Sequence, residues 1–428
     1  MNSKQELART VLSLMCISLF LCFGCSNIDS VVKDDGQIKD DTQIDPEDDT
    51  PIVVDADLVL GNTEFGINLF KEIYKTDNDM NIFISPYSVS VALAMTLNGA
   101  AGDTEQAMTD SLQLQGLSSE TINAAFLQMQ EALQTSDPKV TLSIANSLWG
   151  NDGITFESDF LQRNEKFFNA EVSILDFLDP STLITINQWV NDNTNSKIPT
   201  ILDSIERNAV LYLINAIYFK GTWQTEFKPE NTRDGTFNLA DGSQKQVPMM
   251  FRSGGKYSHY HSDTVQAISL PYGEGQFSMY IFVPTNQSDL DAFLATLTPE
   301  NWENWMTEFN ERQMDLRMPK FKVKYGAKEL KDVLITLGMG VAFDAGRADF
   351  SRMADLEDLG SNLYIDTVLH KTFVEVNEEG TEAAAATVVG IVKTSAPPQF
   401  NVDRPFFYAI RDNETGTVLF MGTVIDPS

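Results

Sequence analysis

The reactive side chains of this chain are few. It has three histidines, His259, His261 and His370, and its three cysteines, Cys16, Cys22 and Cys25, all lie in the first 25 residues. Beyond them there is no thiol for a disulfide, a thiolate metal site or a cysteine nucleophile. His259 and His261 would share one face of a strand, but no third metal ligand is evident beside them. HExxH and GxSxG are absent, and Gly338-Met339-Gly340 lacks the third glycine of a dinucleotide loop. The paired acids read as solvated surface and not as glycosidase machinery. The expectation is therefore a protein that is not an enzyme and holds neither cofactor nor metal. What remains is a segment suited to being acted upon. It runs Glu378-Glu379-Gly380-Thr381-Glu382, Ala383, Ala384, Ala385, Ala386, then Thr387-Val388-Val389-Gly390-Ile391-Val392-Lys393-Thr394-Ser395.

Two local structures compete for this segment. Thr381 could cap an alanine-rich helix with Glu382 in its first turn. The following valines and Gly390 continue a helix poorly, and Pro397-Pro398 closes the segment away from the alanines. As a strand, its period of two places Thr381, Ala383, Ala385, Thr387, Val389 and Ile391 on one face. That face is small at first and β-branched later, which suits burial. Its first opposite member, Glu382, can stay solvated.

The elements that must hold such a segment are legible over the rest of the chain. A length of 428 residues with 43% hydrophobic and 10% aromatic content supports a large core. The net charge of −31 argues against nucleic acid and against a polybasic hold on anionic lipid. Helical periodicity marks Leu58 to Tyr74, Ser88 to Asn98 and Ser119 to Thr135. Strand patterns mark Val210 to Phe219, Val265 to Leu270, Gln276 to Val283 and Leu363 to Val376, with a hairpin from Phe400 to Arg411 and Thr417 to Ile425. Helices mostly come first and strands later, without alternation, which reads as a single α+β domain.

The N-terminus has a different composition. Lys4 and Arg9 precede an apolar stretch from Val11 to Phe23 that is short for a membrane span, and Gly24 precedes Cys25. This resembles a bacterial lipoprotein signal, with residues 1–24 removed and Cys25 lipidated, although Cys22 stands where leucine is usual. Residues 25–57 are acidic and poor in aromatics, as expected of a disordered tether. Residues 58–428 form the folded body. The expected location is the outer membrane or cell surface, held by the lipid, or otherwise secreted or periplasmic.

Several blocks stand out in this body: Asn81-Ile82-Phe83-Ile84-Ser85-Pro86-Tyr87-Ser88, Leu213 to Trp223, Met318-Pro319-Lys320-Phe321, Leu337 to Phe343, His370 to Ala383, Pro405-Phe406-Phe407 and Phe420-Met421-Gly422. In this order they resemble the serpins. The resemblance implies one domain of three β-sheets and about nine helices, with an exposed reactive loop near the C-terminus. It implies that Ser85, Ser88, Asn215 and His370 form a shutter beneath the main sheet. These are polar groups in apolar strings, so a shared hydrogen-bond cluster is expected of them, not a catalytic Ser-His pair. By the same resemblance Trp223 packs at the breach where the loop enters, and Lys320 approaches Glu378. Glu378, Gly380, Thr381 and Ala383 to Ala386 are the hinge.

The function implied is inhibition of serine endopeptidases, and also of cysteine ones, by a suicide substrate. A protease cleaves the loop, the loop inserts as a strand, and the acyl-enzyme is trapped; loop insertion in this family is itself a standard example of strand addition. Loop length counted from Gly380 places the scissile bond at Thr394-Ser395. Lys393-Thr394 better suits a trypsin-like pocket, and Val392 or Thr394 an elastase-like one. The expected partners are such proteases, the expected state a monomer, and membrane contact only through the lipid. The competing reading within the same fold is a non-inhibitory binding or chaperone module.

Overall fold

A computed structural model describes residues 54–134, 137–207, 209–285, 290–355, 362–381 and 398–428. The tether to residue 53, Cys25, Ala383 to Ala386, Lys393, Thr394 and Ser395 lie outside the described residues. The α-helices are α1 (Ala56–Asp77), α2 (Pro86–Leu97), α3 (Gly102–Ser111), α4 (Ser119–Ala132), α5 (Ser158–Phe168), α6 (Pro180–Asn193), α7 (Leu290–Thr296), α8 (Pro299–Glu308) and α9 (Lys331–Leu334). The strands up to the middle of the chain are β1 (Ile82–Ile84), β2 (Val140–Asn151), β3 (Glu171–Leu175), β4 (Leu211–Thr222), β5 (Arg233–Asn238), β6 (Gln244–His261), β7 (Val265–Pro271) and β8 (Phe277–Pro284). They are followed by β9 (Asn310–Pro319), β10 (Phe321–Glu329), β11 (Leu369–Val376), β12 (Gly380–Thr381), β13 (Gln399–Asn401), β14 (Phe406–Asp412) and β15 (Val418–Val424).

The fold is α+β, with six of the nine α-helices among the described residues preceding β4 and two sheets assembled from strands spread along the chain. A six-stranded sheet runs β10-β11-β12-β4-β2-β3, and a nine-stranded one runs β1-β15-β14-β8-β7-β6-β9-β13, with β5 paired to β6. Two of the three expected sheets are thus continuous through the long strand β6. A register shift between Arg252 and Gly255 marks where one passes into the other.

Local chemistry explains the elements that matter for the site. Asp55 caps α1 by accepting from Asp57 N and Leu58 N, so helix begins within the expected tether, two residues before its end. Ser85 caps α2 in the same way, with Pro86 at the first helical position, where its missing N–H costs nothing. Strand β11 alternates half-buried and buried residues along its whole length, the signature of a sheet covered unequally on its two faces. Both β14 and β15 are buried almost throughout, which places them at the centre of the core.

Two expected strands are shorter than their sequence pattern. The run from Leu363 becomes strand only at Leu369, because Ile365 N bonds Ala342 O and Val368 N bonds the Glu329 carboxylate. The run from Phe400 breaks into β13 and β14 across Pro405, which has no N–H for a ladder. A second apolar cluster, built on Trp149, Ile186, Val190 and Ile214, packs α6 against the outer face of the six-stranded sheet.

Candidate functional site

The site lies where the six-stranded sheet is divided. Among the described residues β11 and β4 pair with β12 and not with each other. Gly380 pairs with Thr222, while Thr381 pairs with Gly221 on one side and Val376 on the other. The start of the hinge is thus already a strand, although its composition alone left helix and strand open. Glycine makes this possible. Gly380 has φ +151°, and a Cβ on it would lie 2.0 Å from Gly221 O. No L side chain fits there without moving backbone.

A tight turn feeds this strand. Asn377 N donates to Gly380 O at 2.9 Å, and Asn377 Oδ1 accepts from Glu379 N at 3.0 Å and Gly380 N at 3.3 Å. Trp223 holds the turn from outside: its indole N–H donates to Asn377 O at 3.0 Å and its backbone N–H to Glu379 O at 2.7 Å. Lys320 Nζ lies 2.8 Å from Glu378 Oε2, and Thr232 donates to Glu378 Oε1 at 2.7 Å. Burial pulls the Glu378 carboxyl upward, but the hydrogen bonds from Lys320 and Thr232 outweigh it and hold the group below its ordinary range. With the Lys320 side chain 39% exposed, solvent screening leaves this pair a small stabiliser.

Thr381 is only 3% exposed, and its hydroxyl meets the Tyr272 hydroxyl at 2.8 Å. Tyr272 in turn stacks on Trp223, with ring centroids 4.5 Å apart and planes 13° from parallel. Tyr272 and Thr232 were not picked out by sequence reasoning, and Asn377 and Gly221 entered only as members of longer blocks with no role assigned. The available signal was Tyr272 itself, a polar-tipped aromatic directly after an apolar strand.

Lower in the sheet, the expected shutter residues form two groups. Ser85 N donates to His370 Nε2 at 3.0 Å, Ser85 Oγ donates to Leu419 O at 2.7 Å, and Ser88 N donates to Ser85 Oγ at 3.2 Å. Burial holds His370 down to about 4, so the ring is neutral and can accept this bond at neutral pH. Asn215 lies apart from that cluster. Its Nδ2 donates to Asn146 Oδ1 at 2.6 Å, and Asn146 donates onward to Phe168 O at 2.6 Å. The β2–β4 register sets Asn215 directly opposite Asn146, and this decides the partner. Asn215 Oδ1 is buried with no partner among the described residues.

His259 and His261 do stack, with centroids 6.2 Å apart. Among the described residues, however, no group of three or more histidine, cysteine or carboxylate side chains is placed to hold a metal.

The serpin (serine protease inhibitor) family profile matches residues 60–427. Human serpin B13 is 36% identical over 392 residues, covering 86% of this chain and 98% of its own. The leukocyte elastase inhibitor of Xenopus tropicalis is 36% identical over 380 residues, covering 85% and 98%. The native-state crystal structure of tengpin, a thermophilic serpin, superposes with a TM-score of 0.79 at 32% identity, covering 87% of this chain and 95% of tengpin. With the profile spanning nearly the whole folded body and relatives above 30% identity covered almost end to end, the chain belongs to the serpin family.

Proposed function

We propose that this serpin inhibits serine endopeptidases as a suicide substrate. The observation that carries the reading is the seated hinge: Gly380-Thr381 lies between β11 and β4 with Thr381 buried. A strand nucleus already in register lowers the entropy needed to zip the following residues into the sheet. Those residues, Glu382 to Ala386, carry no bulky, β-branched or proline side chain that would obstruct entry. That relatives include a leukocyte elastase inhibitor supports inhibition over a binding or chaperone role.

The protease attacks the loop and forms its acyl-enzyme. Cleavage frees the segment after Thr381 to enter the sheet, and the tethered protease is carried along. Its oxyanion geometry is distorted before water can deacylate it. Trypsin-like enzymes cut at Lys393-Thr394, and elastase-like enzymes at Thr394-Ser395. Mixing the protein with trypsin-like and elastase-like proteases should give a complex that survives denaturing electrophoresis. Loop-cleaved protein should also unfold at a higher temperature than intact protein. Cleavage without any denaturant-resistant complex would overturn inhibition in favour of the binding-module reading.

The Gly24-Cys25 junction after an apolar stretch supports anchoring through lipid on Cys25 at the outer membrane or cell surface. Labelling with a radioactive fatty acid should mark the wild-type protein and not Cys25→Ser. Equal labelling of the two would remove the anchor from this reading.

A further inference from the structure

The turn that seats Gly380-Thr381 is held by backbone donors from one short segment. Trp223 N donates to Glu379 O at 2.7 Å, and Phe227 N donates to Glu378 O at 2.8 Å. Residues 224–227 lie outside every helix and strand, so no ladder fixes where Phe227 N points. Arg252 on β6 does this instead. Its guanidinium lies over the Phe227 ring and over the Tyr257 ring, with its carbon 4.8 Å from each centroid. It also donates to Thr225 O and, through Nε, to the Tyr257 hydroxyl. Phe227 and Tyr257 are themselves buried. A planar fork between two rings uses what arginine has and lysine lacks.

A β-bulge aims this side chain. In the β6–β9 ladder Arg252 faces Leu316 and Gly255 faces Met314, so Ser253 and Gly254 together stand opposite Asp315 alone. Such an extra residue bends its strand and re-aims the neighbouring side chains. Gly254 supplies the left-handed backbone, with φ +64°. The buried Asp315 pins the bulge: its Oδ1 accepts from Ser253 Oγ and from Gly254 N, each at 2.8 Å. The backbone N–H of the same Asp315 donates to Pro398 O at 2.9 Å, directly before β13. One bulge therefore reaches toward both ends of the reactive loop, with Arg252 at its entry and Asp315 at its exit.

We infer that Arg252 is a positioning residue for strand entry, acting through residues 223–227 and held in place by the bulge at Ser253-Gly254. It keeps Trp223 N and Phe227 N aimed at the Glu379 and Glu378 carbonyls, so that Thr381 starts in register between β4 and β11. Insertion competes with deacylation by water. Losing the register slows insertion and leaves deacylation as it was, so more inhibitor ends as cleaved product. The effect on trapping rests on the suicide-substrate reading; the effect on the two amides does not.

The test compares the full chain with Arg252→Met, which keeps the apolar stem and loses the fork. Each is mixed with trypsin well below its unfolding temperature, and trapped and cleaved inhibitor are quantified by denaturing electrophoresis. The cleaved-to-trapped ratio is expected to rise about fivefold, the scale of one lost cation–π contact, with no change in the rate of first attack on the loop. Without protease, amide exchange at Trp223 and Phe227 should quicken by a similar factor. Arg252→Lys restores the charge without the planar fork and should recover little of either effect. Should Arg252→Met fold poorly, Ser253→Ala serves: Ser253 is exposed, and its loss removes one of the two bonds that pin the bulge. The same two changes are then expected in smaller degree. An unchanged or lower ratio, unchanged exchange at both amides, or full recovery by Arg252→Lys would each overturn the proposal. So would a lower unfolding temperature with ratio and exchange unmoved, since that marks a purely structural role. Wild-type protein that traps nothing would overturn the inhibitor reading instead, and exchange at the two amides would then decide the role of Arg252.

Discussion

Thr381→Arg is expected to turn this protein from an inhibitor into a substrate. The denaturant-resistant complex should disappear, and the protease should release cleaved product and remain active. Thr381 occupies a buried position between two strands, with its hydroxyl on Tyr272. Arginine cannot shed its charge at any accessible pH. An unpaired buried charge costs several kcal/mol, and every 1.4 kcal/mol shifts the partition between trapping and turnover tenfold. The ratio of cleaved to trapped inhibitor should therefore rise by about two orders of magnitude or more. Thr381→Val separates charge from shape. It keeps the volume and leaves the Tyr272 hydroxyl unpaired, a loss of about 1–3 kcal/mol, but it should still trap. Undiminished complex formation by Thr381→Arg would show that this residue need not stay in the sheet.

The fold was legible because its periodic segments are long. The run from Leu58 to Tyr74 lies inside α1, and the run from Val210 to Phe219 becomes β4 with little change. The ends were less legible because hydrogen bonds made elsewhere decide them. Val368 reads as strand, yet its N–H goes to Glu329. The site follows the same logic. A polar residue in an apolar string announces that it is buried and needs a partner, but not which one. Asn215 meets Asn146 through strand register, and Thr381 meets Tyr272 across 109 residues of chain. Gly221 is unremarkable in sequence. Its meaning appears only when Gly380 lies against its carbonyl.

His370 makes the folded protein sensitive to mild acid. Burial holds it at about 4, against an ordinary value of 6.5. The unfolded chain therefore takes up a proton between those values that the native state refuses, and stability falls as pH drops through that window. From pH 7 to pH 5 this one group should cost about 2 kcal/mol. Protonation also has a local meaning. A charged imidazole has no lone pair at Nε2 for Ser85 N, so the link between β11 and the start of α2 is lost. Because His370 lies near the start of β11, six residues from the Val376–Thr381 pair, acid should loosen the sheet below the seated hinge and not at the hinge itself. His370→Gln offers an amide oxygen to Ser85 N and does not titrate. Urea unfolding at pH 7 and pH 5 should show the variant losing about 2 kcal/mol less than wild type over that interval. His259, which burial and then Arg312 and His261 also hold at about 4, is present in both proteins and cancels in the comparison. Equal losses would mean that His370 is protonated in the native state and that its bond to Ser85 is not what ties the strand to the helix.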